Sequence, residues 1–246
     1  MITVYICLTV CVLIQSVYGV GLLVFGTPIL LIWGLEFTTL LGLLLPSSVL
    51  LSILQIMHTK SQTVVETEMA PVAIIGVIAG IIILLQAQEP EQLPVIMAAT
   101  MLFVAVMRSV PSAIHWIGNG LYRHRYIFHF LNAIFHGFTN QGGTLLSSYS
   151  TFVYREKYQA LRCTSFFYLI YASAQIATLI AFGKLEIFFD GLLFMPVTAV
   201  IYIVLGRRSF KHLNQDLFFR LATMFFWLAA VVFFIKIPVV EQILNL

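Results

Sequence analysis

Six stretches of the chain, residues 38–57, 71–87, 94–117, 158–183, 188–206 and 217–237, each run for close to twenty residues with little or no charge. Coiled as a helix, such a run matches the apolar thickness of a bilayer, about 30 Å at ~1.5 Å per residue. No other feature restricts the fold as strongly. Composition agrees: 61% of the 246 residues are hydrophobic and 9% are charged. Soluble domains carry about 25% charged residues, so this chain cannot cover its own surface in water. A membrane β-barrel would show segments of about ten residues with alternating polarity, and these are absent. The expected class is all-α, a polytopic helical membrane protein.

The N-terminal "MITVYICLTVCVLIQSVYG" lacks the basic leader and small-residue cleavage site of a signal peptide, and reads as part of the fold. Cys7, Cys11 and Cys163 lie in or beside apolar helix with no C-x-x-C pair or histidine cluster, so they read as packing residues rather than a disulfide or metal site. No cofactor signature is present. The net charge of +3 is too small to suggest nucleic acid, and its distribution tells more. Arg123 and Arg125, then Arg155, Lys157 and Arg162, then Arg207, Arg208 and Lys211 form three basic groups, with Lys60 alone in the first half. Basic loops face the cytoplasm. A multi-pass chain follows, with residues 58–70, 118–126, 154–162 and 206–216 inside. The acidic or mixed "EPE" at 89–91 and "KLEIFFD" at 184–190 take the outer side, as do both termini. Glu66 and Glu68 run against this pattern.

Basic residues flank the stretch from 126 to 154 on both sides, so it must enter the membrane and return. It is too short for two full spans. A re-entrant hairpin with "HGFTNQGG" (136–143) at its tip is the economical reading, two short tilted spans the alternative. In the first half "GVGLLVFGTP" (19–28) breaks the apolar run between residues 3 and 35 in the same way. Landmarks then recur at a nearly constant offset: Gln55 and Gln175, "PV" at 71–72 and 196–197, "ATMLF" at 99–103 and "ATMFF" at 222–226. The chain reads as a duplication, residues 1–120 and 121–246. A hairpin plus three spans is an odd number of crossings, which inverts the second copy. Inverted repeats place a substrate at their interface near the midplane.

Irregular backbone at membrane depth survives only where protein or a wet cavity satisfies its amides. At the second tip, a helix starting near Gly143 would turn its positive end and the amides of Gly142 and Gly143 toward an anion, with Asn140, Gln141 and Thr144 as neutral donors. Gly26, Thr27 and Pro28 are the expected equivalents in the first half, the proline in a first helical turn. Close helix packing is the alternative use of these glycines. Ser47, Ser48, Ser52 and Gln55, and separately Thr164, Ser165, Tyr168, Tyr171 and Gln175, form polar rows, within which Ser48, Ser52 and Gln55, and Tyr168, Tyr171 and Gln175, share a helix face. Such rows wall a polar pathway or bond neighbouring helices. No Asp or Glu lies in the middle of a predicted span. His136 is then the group near the midplane that titrates close to neutrality, a proton-coupling candidate or a hydrogen-bonded structural residue. Arg108 reads as an interfacial residue snorkelling to the headgroups, and Gly191 as part of a loop. With no H-E-x-x-H, G-x-S-x-G or Walker sequence, the chain is not expected to be an enzyme.

The run "GVGLLVFGTPILL" and the mid-chain "FHGFTNQGGTLLSSY", followed by a basic loop, resemble the paired motifs of the TauE/SafE, sulfite-exporter-like membrane permeases. The resemblance covers essentially the whole chain. It implies a cytoplasmic-membrane carrier of small anions, often sulfur-containing ones such as sulfite or organosulfonates. A passive anion channel of the same architecture is one rival, and a membrane scaffold or enzyme subunit without transport is another. Expected partners are a small anion and the lipid bilayer, with a homodimer as an option for the assembly.

Overall fold

The breaks between helices, more than the helices themselves, place the polar residues of this protein. The computed structural model describes residues 2–59, 66–87, 92–154, 156–185 and 188–236, and all regular structure among them is helical. The helices are α1 (Ile2–Tyr18), α2 (Leu22–Ile32), α3 (Phe37–His58), α4 (Ala70–Gln86), α5 (Leu93–Arg108), α6 (Pro111–Arg123), α7 (Arg125–Thr139), α8 (Gly142–Val153), α9 (Lys157–Ala181), α10 (Phe188–Ile201), α11 (Arg207–His212) and α12 (Gln215–Lys236). Lys60, Arg155, "EPE" and the C-terminal end fall outside the described residues.

Five helical stretches are long and apolar enough to cross a bilayer: Phe37–His58, Thr67–Gln86, Lys157–Ala181, Phe189–His212 and Gln215–Ile235. The first and third of these are mostly buried, at 67% and 61%, whereas the last two are only 28% and 33% buried. α3 and α9 therefore form the centre, packed on each other, with α10 against α3 and α4 against α9. α10 and α12 turn Val197, Val200, Leu228 and Val231 outward, as a lipid-facing helix does.

Two expected boundaries move. Residues 94–117 are not one span: α5 stops at Arg108 and α6 begins at Pro111. Val110, just before the proline, is extended at φ −108 and ψ 94, because the proline ring crowds a helical conformation there. Residues 188–206 continue to His212, with a π turn at Tyr202–Gly206 joining α10 to α11. The π turn faces α1, where a Cβ on Gly206 would collide with Ser16. Gly191 is not in a loop: it lies in α10 and faces the Gly42 and Leu43 carbonyls of α3.

α4 and α7 pack closely because both present small residues four apart. A Cβ on Gly76 would lie 2.7 Å from the Ala133 Cβ, and Gly80 and Gly137 face each other across the contact with their Cα atoms opposed. This is the small-xxx-small device by which membrane helices approach when no hydrophobic drive separates them from lipid. Gly137 of the tip segment serves this packing.

Candidate functional site

Two helix pairs turn back on themselves. Gly19, φ 77, follows the end of α1 and α2 begins three residues after it; Asn140, φ 61, follows the end of α7 and α8 begins two residues after it. Glycine and asparagine are the residues that adopt this left-handed conformation at least cost. At 15 and 12 residues, α7 and α8 are about 22 and 18 Å long, each short of a full crossing. The start of α7 and the end of α8 share a partner. Glu66, on the loop before α4, bonds both His129 near the start of α7 and Tyr154 at the end of α8.

The second tip is wholly buried and docks on the first half. Asn140 donates its side-chain amide to Thr27 Oγ1 at 2.7 Å, and Gln141 donates to the Val24 carbonyl at 2.9 Å. The reason Val24 can accept is Pro28. Having no N–H, Pro28 leaves the carbonyl four residues earlier without its helical partner, and Gln141 supplies one from the other half of the chain. Gly26, Thr27 and Pro28 are thus not a tip: Pro28 lies inside α2, and the first tip is Gly19–Gly21.

The tip side chains expected as free donors are already engaged with one another. Gln175 donates to Asn140 Oδ1 at 3.4 Å, and Thr144 Oγ1 to Gln141 Oε1 at 3.0 Å. What remains unpartnered lies one layer deeper, around the start of α8. No side chain among the described residues caps the amides of Gly142 and Gly143. Neither ring nitrogen of His136 has a partner, nor do Tyr168 Oη, Asn132 Oδ1 and Gln175 Oε1. These groups are neighbours: a Cβ on Gly142 would strike His136, one on Gly143 would strike Tyr168 Oη, and the His136 ring lies 4.7 Å from that of Tyr171.

The start of α2 is built the other way. Gln15, in the last turn of α1, turns its Oε1 onto the Leu22 amide at 2.9 Å. Its Nε2 donates to Ser48 at 3.3 Å, and Gln55 donates to its carbonyl at 2.6 Å. Ser165 completes this group on Gln55 Oε1 at 3.0 Å. Ser48 and Gln55 therefore serve a self-satisfied cap in the first half, separate from Asn140, Gln141, Thr144, Thr27, Gln175 and His136.

Arg108 departs from expectation. It is 7% exposed and does not snorkel: Nη1 donates to Thr151 Oγ1 at 2.7 Å and Nε to Thr223 Oγ1 at 3.2 Å, with the guanidinium over Phe152 and Phe226. Glu66 stood out from sequence only as an exception to the charge pattern, and Gln15, His129 and Asn132 were not singled out. Two signals could have found the last three. Gln15 precedes His136 by 121 positions, close to the repeat offset, and His129, Asn132 and His136 are spaced by three and four on one helix face.

A protein-family comparison places these features in context. The model described as "Sulfite exporter TauE/SafE" matches residues 4–234, nearly the whole chain. No curated protein and no solved structure matches it.

Proposed function

The chain belongs to the sulfite exporter TauE/SafE family, whose members are membrane transporters, and on that premise we propose that it carries a small anion by alternating access around the α7–α8 tip. The substrate class is a sulfur oxyanion or an organosulfonate, of which sulfite is the simplest. One observation carries the reading: the start of α2 is capped by the protein's own Gln15 side chain, while the buried start of α8 has no side-chain cap and borders His136 and Tyr168 Oη, which have no partners. A buried N–H without an acceptor costs about 1–3 kcal/mol, so an uncapped start is maintained only if something else occupies it. The positive end of α8 selects an anion for that place. The anion accepts from the Gly142 and Gly143 amides and from Tyr168 Oη and His136, while Gln175 Oε1 accepts from a substrate oxygen that carries a proton. Asn140, Gln141, Thr144 and Thr27 hold the tip in register.

The pairing of elements supports two inverted repeats, residues 1–120 and 121–246. α3 packs on α9 and α5 on α12, each against its own counterpart, as a two-fold relation requires. Both termini then lie outside the inner membrane. A groove of about 860 Å³ between α6 and α7 passes Arg123 and His124 and reaches Asn132, which supplies a route toward the site from the inner side.

The test is counterflow of labelled sulfite and methanesulfonate in proteoliposomes. Saturable exchange is expected. Flux that follows voltage without saturating would make the protein a channel. A protein with neither flux nor an anion-dependent thermal shift would be a scaffold.

A further inference from the structure

Glu66 is the one buried carboxylate among the described residues, and the second half of the chain encloses it. Tyr149 Oη donates to it at 2.8 Å, Tyr154 Oη at 2.6 Å, and His129 Nε2 faces it at 3.2 Å. Burial works against its charge, but the hydrogen bonds from His129, Tyr154 and Tyr149 outweigh it and hold Glu66 below the usual carboxylate range. His129 is fully buried, with the Phe167 ring stacked at 4.0 Å. Its Nδ1 has no partner in the protein. With Nε2–H turned to the carboxylate, the tautomer the network assigns, Nδ1 presents a free lone pair.

Along the same face of α7 lie Asn132, which donates to Tyr171 Oη at 3.0 Å, and then His136 at the tip. The carboxylate and the anion site are thus joined by one helix. Resting on the anion-transport reading of the tip, we infer that Glu66 and His129 form a proton-binding site coupled to anion binding at the start of α8. The proton is taken on His129 Nδ1. The resulting imidazolium stays neutralised locally by Glu66, and its arrival makes the interior around the tip one charge more positive.

The other titratable groups facing this pair are Tyr149 from α8, Tyr154 just after it and Cys163 from α9, with Tyr122 of α6 beside Tyr154. Arg125 of α7 is engaged at the exposed edge with Glu68 at 3.9 Å. α4, packed along α7, carries no titratable side chain. His136 has no carboxylate facing it and serves as a neutral donor to the anion.

Seven helical residues separate His129 from His136, about 10 Å. A unit charge at that distance, at an effective dielectric of about 20, changes anion affinity roughly tenfold. By linkage the anion tightens proton binding by the same factor.

Isothermal titration of methanesulfonate, which stays ionised throughout, tests this at pH 6 and pH 8 in two buffers of different ionisation enthalpy. Wild type is expected to bind roughly tenfold tighter at pH 6 and to take up a proton on binding. His129→Gln keeps a donor for Glu66 but cannot be protonated. It and Glu66→Gln should still bind, with affinity independent of pH and no proton uptake, while His136→Gln keeps the pH dependence. Wild-type affinity that is flat from pH 6 to pH 8, which requires no variant to fold, overturns the coupling, as does proton uptake that survives in His129→Gln. Wild type that binds neither methanesulfonate nor sulfite overturns the anion reading itself.

Discussion

Tyr168 carries the sharpest test at the residue scale, because its hydroxyl is buried and bonded to nothing in the protein. Tyr168→Phe removes that oxygen and nothing else. If the start of α8 holds an anion, the variant loses one hydrogen bond to a charged group, about 1.5–3 kcal/mol, and binds sulfite roughly ten- to a hundredfold more weakly. Its melting temperature without anion should be unchanged or slightly higher. Equal affinity in both proteins would remove Tyr168 from the site. Glu66 makes a second prediction, on stability. A carboxylate held below its ordinary value stabilises the fold fully above that value, about 4.3, and the contribution is lost as pH falls through the depressed one. The melting temperature of wild type should therefore fall on the acid side of about pH 4.3, whereas Glu66→Gln starts lower at neutral pH and changes less across that window. Sequence exposed part of this site. Asn140, Gly142 and Gly143 stand out by composition in an apolar chain, but burial of Glu66 comes from Tyr149 and Tyr154, 83 and 88 positions away. No local pattern carries that.

Among the elements, the α4–α7 contact decides how much of the glycine content is packing. Gly76, Gly80, Ala133 and Gly137 allow two backbones to meet, so Gly80→Val must push α4 off α7 and should cost about 1–3 kcal/mol, read as a lower melting temperature in detergent. Gly120→Ala in α6 is the control. Nothing lies within 4 Å of its Cβ position, and a helical alanine gains up to about 1 kcal/mol over glycine. Equal loss in both variants would mean that the glycines matter through the unfolded chain and not through contact. Pro28 works differently: it frees the Val24 carbonyl for Gln141 and so joins the two halves. Pro28→Ala returns a helical N–H to Val24. Transport should fall while the melting temperature holds or rises, since α2 gains a bond and the tip loses one. A transport rate equal to wild type would show that the latch does not matter. Proline in an apolar run is easy to read as a first-turn residue, and here only the tip docked beside it reveals the carbonyl it releases.

At the scale of the whole molecule, apolar length is a one-dimensional property, and the five long spans were legible for that reason. The stop at Arg108 was read through despite Pro111 three residues on, and the partners of the guanidinium, which no local pattern shows, lie 43 and 115 positions away. Orientation is the last question. Three contacts gather chain ends on one side: Glu66 with Tyr154, Arg162 Nη1 with the Thr59 carbonyl at 2.7 Å, and Lys157 Nζ with the Phe210 carbonyl at 2.8 Å. That side holds Arg123, Arg125, Lys157, Arg162 and Lys211, and in the proposed orientation, which follows the positive-inside rule, it faces the cytoplasm. Glu36, between α2 and α3, lies at the opposite end of α3. Single cysteines at the exposed positions Glu36, Tyr122, Glu156 and Asp216, in a protein with Cys7, Cys11 and Cys163 replaced by alanine, test this with an impermeant thiol reagent on intact cells. Glu36→Cys should react, and the other three should stay unlabelled until the membrane is opened. Tyr122 and Glu156 bracket the α7–α8 pair, so they must behave alike if that pair enters and returns. Labelling of one but not the other would mean that the pair crosses, and alternating access around a re-entrant tip would fall with it.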